Sequence, residues 1–296
     1  MAGRWVWPRT PETRMKWQGG RRGGNIEDRR GLGPGTVAGG GIGVLIVALI
    51  GYFVFGMEPD DIAQMVGDTS SVSSSSQEGV QGTPEDEAGQ FVDVISANIN
   101  DVWSQALRGY TPPTVVLYAQ GTSTGCGYGQ AAMGPFYCPT DQTVYLDLGF
   151  WQDMQTQLGA SGADFARAYV IAHEFGHHVQ KLVGTSDQVR RAQQAARSEA
   201  EANTYSVALE LQADCYAGVW AAHAAEVSGG TVALEAGDLE EGLRTANAIG
   251  DDMIQKRMTG RVTPEAFTHG TAEQRMKWLR TGYQTGDPKA CDTFSQ

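Results

Sequence analysis

Residues 31–57, GLGPGTVAGGGIGVLIVALIGYFVFGM, carry no charged side chain. A helix rises about 1.5 Å per residue, so the roughly 20 residues from Val37 to Met57 match a hydrocarbon layer of about 30 Å. The run has no polar face, so it does not read as the surface helix of a soluble domain; a helix buried in a soluble core is the alternative. The flanks differ in charge. Before residue 31 stand Arg4, Arg9, Arg14, Lys16, Arg21, Arg22, Arg29 and Arg30 against Glu12, Glu27 and Asp28, about +5, while the whole chain is −12. Flanking Lys and Arg resist translocation. The expectation is a basic cytoplasmic arm over residues 1–35, a single transmembrane helix over 36–57, and everything later outside the cytoplasm. No small-x-small site follows YFVFGM, which argues against a cleaved signal peptide. Gly35, Gly39 and Gly43 have the spacing of a helix-pairing face, although a loosely packed entry explains them equally well.

Residues 58–90 are rich in Ser, Gly and acids, lack apolar periodicity, and read as a flexible tether. Residues 91–296 then form the extracytoplasmic domain. Its acidity, with the basic residues gathered elsewhere, argues against nucleic acid as a partner. Cys126, Cys138, Cys215 and Cys291 are an even set without a C-x-x-C pair, so disulfides fit an exported domain better than a cysteine metal cluster does. The simplest of three connectivities joins Cys126 to Cys138 and Cys215 to Cys291; free buried thiols are the alternative.

From Phe91 to Leu107 apolar residues recur at helical spacing, and TVVLYAQ (114–120) and TVYLDLGF (143–150) have the β-branched and aromatic content of strands. The remainder reads as helix, broken near 228–230 and 259–264. The fold class expected is α+β, with a small, mostly antiparallel sheet ahead of a larger helical half.

The chemistry is concentrated in YVIAHEFGHHVQ, residues 169–180. On a helix, residues four apart share a face, so His173 and His177 direct imidazoles to one point, where zinc sits about 2.0–2.1 Å from each nitrogen. Glu174, turned about a quarter of the way round, reaches water beside the metal and serves as general base. A catalytic zinc needs a third protein ligand. SVALELQADCYAGVWAAHA, residues 206–224, supplies two carboxylates four apart on an otherwise apolar helix, Glu210 and Asp214. Bare buried carboxylates are costly, so Glu210 is assigned as the third ligand and Asp214 as the acceptor that holds a ligand imidazole by its other N–H. His223 is a weaker candidate ligand, and His178, next to the second ligand, points elsewhere. In THGTAEQR, residues 268–275, His269 is a candidate oxyanion donor and Arg275 a partner for a carboxylate near the site. Zinc in such a site brings the pKa of water to about 7, Glu174 takes the proton, and a peptide bond is cut. The strand TVYLDLGF offers an edge for an extended peptide.

HEFGH, then ELQAD, then HGTAEQR resemble zinc metallopeptidases of the gluzincin type, whose third ligand is the Glu of an E-x-x-x-D helix. More closely, the chain is similar to a bacterial family of neutral zinc metallopeptidases, in which a segment like MKWQGGRRGGNIEDRRG precedes a Gly-rich anchor and one extracytoplasmic domain. The resemblance extends over nearly everything from Met15, including CPTDQTVYLDLGFW and CDTF. It implies a zincin-like fold, one Zn2+ per chain, a membrane-anchored peptidase acting on extracytoplasmic proteins or peptides, and Met15 as the genuine start, which intact mass would check. Gly270 stands where Pro often follows the equivalent His in multi-spanning E-x-x-x-D peptidases, so the role carried over to His269 rests on less than the ligand set does. The competing function is a non-catalytic, zinc-stabilised domain that binds envelope proteins. Glu174 argues against it, because a structural metal needs no general base.

Overall fold

The computed structural model describes residues 15–31, 79–130 and 133–295. The expected span over 36–57 lies outside them. Among the described residues no helix is long and apolar enough to cross a membrane.

A five-stranded sheet has the order β2-β1-β3-β7-β6, from β1 (Ile26–Asp28), β2 (Val80–Gly82), β3 (Thr114–Tyr118), β6 (Phe136–Cys138) and β7 (Thr143–Asp147). A separate hairpin pairs β4 (Gly121–Thr124) with β5 (Gly127–Gln130). The central strands β1, β3 and β7 are parallel neighbours, and only the outer strands β2 and β6 run antiparallel. The sheet is therefore mixed rather than mostly antiparallel. β3 and β7, TVVLY and TVYLD, are buried nearly throughout, as expected for parallel strands covered on both faces. Because β7 lies between β3 and β6, it has no free edge for a peptide; among the described strands the edges are β2 and β6, and β6 is the one next to β7.

The helical half comprises α1 (Glu87–Ala106), α2 (Phe150–Thr156), α3 (Asp164–Leu182), α4 (Thr185–Ala195), α5 (Glu199–Val227), α6 (Asp238–Ala248), α7 (Asp251–Thr259) and α8 (Ala272–Thr285). α1 starts where the Asp86 carboxylate accepts the Gly89 N–H and packs on α3 and α5. The fold thus begins before residue 91: residues 79–90, expected in the tether, hold β2 and the start of α1. Trp103, Phe165, Tyr169, Phe175 and Trp220 fill the core between sheet and helices.

The largest departure from the sequence reading is the basic arm. Residues 15–31 belong to the domain. Ile26 is buried and pairs with Val115 of β3. Trp17 stacks edge-on against Phe91 with ring centroids 5.2 Å apart, and its indole N–H donates to Asp164 Oδ2 at 3.0 Å. The basic residues meet acids: Lys16 with Glu235, Arg21 with Asp101, Arg22 with Asp93, Arg29 with Glu27, and Arg30 with both Asp28 and Asp86. The two antiparallel neighbours β1 and β2 flank residues 32–78, with Asp28 opposite Val80. Both ends of that segment therefore lie at one place on the domain. A single membrane crossing between them would put hydrogen-bonded strands on opposite sides of a bilayer, so a cytoplasmic arm with an outer domain is incompatible with this sheet. The charge asymmetry that suggested topology is instead spent within the fold.

Replacing Trp17 by Ala should lower unfolding free energy by about 3–5 kcal/mol in denaturant titration, the usual cost of emptying a buried Trp site. A tail outside the domain would show no loss.

Candidate metal centre

The site is built where α3 crosses α5. Gly176, inside HEFGH, faces Ala213, and a methyl group at position 176 would lie 3.0 Å from both the Ala213 Cα and carbonyl oxygen. This small residue lets the helix carrying His173 and His177 approach the one carrying Glu210 and Asp214. Behind it, α8 lies on α5 through the facing glycines Gly218 and Gly282, whose absent side chains would meet backbone. That contact brings Arg275 to Asp214.

His173 Nε2 and His177 Nε2 are 3.2 Å apart, and Glu210 presents Oε2 3.0 Å from the first and Oε1 3.4 Å from the second. A tetrahedral ion about 2.0–2.1 Å from its ligands separates them by roughly 3.3 Å, so the spacing suits zinc. Among the described residues these three form a group able to hold a metal ion. The tautomers agree. Asp214 Oδ1 accepts from His173 Nδ1 at 2.8 Å. Gln180 Nε2 donates to the Leu209 carbonyl at 2.6 Å and to Gln212 Oε1 at 3.2 Å, which turns Gln180 Oε1 toward His177 Nδ1 at 2.9 Å. With both Nδ1 atoms donating, both neutral imidazoles aim Nε2 lone pairs at the same point. Only a proton or a cation relieves that.

Asp214 is the hub behind the ligands. It is fully buried and also accepts from Tyr169 Oη at 2.6 Å and from Arg275 at 2.8 and 2.9 Å. Burial would raise its pKa, yet the Arg275 and His173 charges outweigh this and hold it near 2. Without metal, burial disfavours a charged His173, but Asp214 and Glu210 overcome it and push the imidazole up to about 10. His177 moves the same way, with Glu210 overcoming burial. Glu210 itself is held well below the usual carboxylate range, His177 and His269 outweighing the cost of burial. Glu174 goes upward because burial dominates the pull of both ligand histidines.

The centre opens on a cleft of about 380 Å³ that Glu174 and His269 also line. Tyr137 of β6 forms part of the wall, so the free sheet edge runs beside the metal position. Phe150, Met154, Leu158, Val170 and Ile254 add apolar lining to the cleft. His269 is carried by a loop that Asp251, buried at the start of α7, clasps through the N–H groups of Thr268, His269 and Gly270 at 2.7–2.9 Å. His178 turns away, bonding the Thr111 carbonyl and the Tyr137 hydroxyl, and His223 bonds the Gly286 carbonyl, apart from the ligands. Both disulfides expected from the sequence are formed, Cys126–Cys138 and Cys215–Cys291.

Sequence reasoning missed Gln180, Tyr169 and Asp251. Gln180 had a signal: it lies three residues after His177 on the same helix, within reach of its ring. Tyr169, four residues before His173, had the same kind of signal. Asp251 had none, because its partners lie in a loop seventeen to nineteen residues later.

The family profile described as "Putative neutral zinc metallopeptidase" matches residues 15–294. The chain belongs to this family. It is 47% identical to the protein YpfJ of Escherichia coli over 297 aligned positions, covering 95% of this chain and 99% of YpfJ. It is 50% identical to Mb2605 of Mycobacterium bovis and to Rv2575 of Mycobacterium tuberculosis over 204 positions, about two thirds of each chain. No solved structure matches. The match beginning at residue 15 agrees with the buried place of Met15 and Trp17 in the fold.

Two outcomes follow from this geometry. In the metal-free protein the raised His173 pKa contributes stability that is complete below the ordinary 6.5 and is lost as pH rises through about 10. Zinc therefore competes with protons at neutral pH: calorimetry at pH 7 in buffers of differing ionisation enthalpy should show release of at least one proton per zinc, and none if His173 is already neutral. Glu210→Ala should lose zinc, while His223→Ala should keep it, as read by metal content after dialysis.

Proposed function

We propose that this protein is a zinc-dependent endopeptidase acting on extended segments of extracytoplasmic proteins or peptides. The observation that carries the reading is the convergence of two imidazole Nε2 atoms and the Glu210 carboxylate at 3.0–3.4 Å, beside Glu174, in a cleft with an open strand edge. His173, His177 and Glu210 hold the ion. Zinc, when bound, supplies the Lewis acidity that activates water and polarises a peptide carbonyl.

The remaining steps belong to the chain's own residues. A Glu174 carboxylate oxygen accepts the proton of the attacking water and delivers it to the nitrogen of the leaving amine. His269, steadied by Asp251, offers an N–H to the carbonyl oxygen as that atom gains charge. Asp214 and Gln180 fix the ligand rings, and Arg275 keeps Asp214 ionised. An extended substrate adds to β6 by backbone pairing. The apolar lining of the cleft favours a bulky apolar substrate side chain.

The disulfides favour an oxidising compartment. Residues 15–31 share one sheet with the peptidase half, so both occupy that compartment together.

The decisive experiment compares wild type with Glu174→Gln on fluorescently labelled casein, an unfolded substrate. The variant should keep its zinc and lose cleavage by about 10²–10⁴-fold, the usual contribution of a positioned acid–base group. A variant that retains both zinc and wild-type cleavage would overturn the catalytic reading.

A further inference from the structure

A hydrogen-bonded chain runs from His177 to the Cys215–Cys291 disulfide. His177 Nδ1 donates to Gln180 Oε1 at 2.9 Å, and Gln180 Nε2 donates to Gln212 Oε1 at 3.2 Å. Gln212 Nε2 donates to the Cys291 carbonyl at 2.9 Å, and Cys291 is bonded to Cys215. Beyond His177, which is partly exposed at the cleft, the relay is buried: Gln180 is 0% exposed, Gln212 7%, and both cysteines at most 1%. Each amide is used in one orientation only, because reversing either would set donor against donor or acceptor against acceptor.

The segment that carries Cys291 also brackets the ligand-bearing turns of α5. The disulfide fixes it at position 215, and Thr293 Oγ1 donates to the Ala208 carbonyl at 2.5 Å. Glu210, Gln212 and Asp214 lie between those fastenings. The Leu209 carbonyl, one residue before Glu210, is tied to the same Gln180 amide. One strap therefore supports a ligand on each of the two crossing helices. The other disulfide, Cys126–Cys138, joins the β4–β5 hairpin to β6 and takes no part in this chain.

We infer that Gln180 and Gln212 are positioning residues that make the grip of His177 and Glu210 on zinc depend on the closed Cys215–Cys291 disulfide. The inference rests on the zinc-peptidase reading and adds a condition to it. Two thiols have to transfer two electrons and two protons to a disulfide oxidant, Cys215–SH + Cys291–SH + R–S–S–R giving the protein disulfide and two R–SH, before the site holds its metal at full strength. In a reducing compartment the strap is free at one end, the Gln212 amide loses its anchored acceptor, and the ligand set loosens. The chain is thereby weakly loaded until it reaches an oxidising space, which restrains proteolysis where it is made.

The test measures zinc affinity of the full oxidised chain by competition with a chromogenic chelator, together with melting of the zinc-free proteins. Partners that orient ligands typically contribute 10–100-fold to metal affinity. Gln212→Ala and the double variant Cys215→Ala/Cys291→Ala should each weaken zinc about tenfold. Combined, they should be no weaker than the stronger of the two, because both cut one chain. Cys126→Ala/Cys138→Ala should bind zinc as wild type does. If the strap-free variant does not fold, Gln212→Glu makes the same comparison: it keeps an acceptor facing Gln180 but has no donor for the Cys291 carbonyl, and should also bind zinc about tenfold more weakly. Unchanged affinity in folded Cys215→Ala/Cys291→Ala, Gln212→Ala or Gln212→Glu, or losses that multiply as independent effects do, would overturn the inference. Wild type that binds no zinc would instead sink the metal reading itself.

Discussion

The fold turns on one carboxylate. Asp214 is fully buried, and it accepts hydrogen bonds from His173 and Tyr169 on α3 and from Arg275 on α8 while sitting on α5. An ionised carboxylate in an apolar interior is tolerable only with its lone pairs satisfied and its charge paired. Three helices must therefore meet at fixed spacing for this residue to be buried at all. The glycines at 176, 218 and 282 remove the side chains that would hold those helices apart. The geometry of the candidate metal centre and the core packing are thus one problem with a shared solution, and the residue that orients His173 is also the keystone of the helical half.

The legible part of the site was the part written at helical spacing. His173 and His177, and Glu210 and Asp214, each lie four apart, so periodicity alone put each pair on a face, and the cost of burying carboxylates linked the two faces. Gln180 obeyed the same arithmetic but is neutral and common, so nothing in its type set it apart. The clasp between Asp251 and the loop at 268–270 depends on backbone N–H groups, which carry no sequence signature. The β-branched strands were legible, but their order was not: β7 is adjacent in sequence to β6 and in space to both β6 and β3, and only the latter contact takes it off the edge.

The basic arm was misread for an instructive reason. A run of Lys and Arg ahead of an apolar segment is the pattern of membrane topology, and it is equally the pattern of a strand that has to bind an acidic domain. What separates the two is placement of the few apolar residues. Met15, Trp17 and Ile26 are nearly inaccessible, and the cations around them reach acids on α1 and in the loop before it as well as the Glu235 loop. Arg30, bound by two carboxylates, has its pKa driven further upward by those bonds, with burial working against them. Charge complementarity within the molecule, rather than between the molecule and a bilayer, explains why the cations gather there.

The seat of β1 between β2 and β3 also bears on how the chain behaves while it is incomplete. Its partner residues on β3 come almost ninety positions later, so the strand waits for most of the sheet to exist. Until it docks, or if residues 15–31 are cut away, β3 is left with an unpaired rim of backbone groups on an apolar TVVLY segment. Such a rim invites another copy to add its own strand. The short first strand therefore covers that rim, and its removal would leave a sheet open to strand addition by another copy.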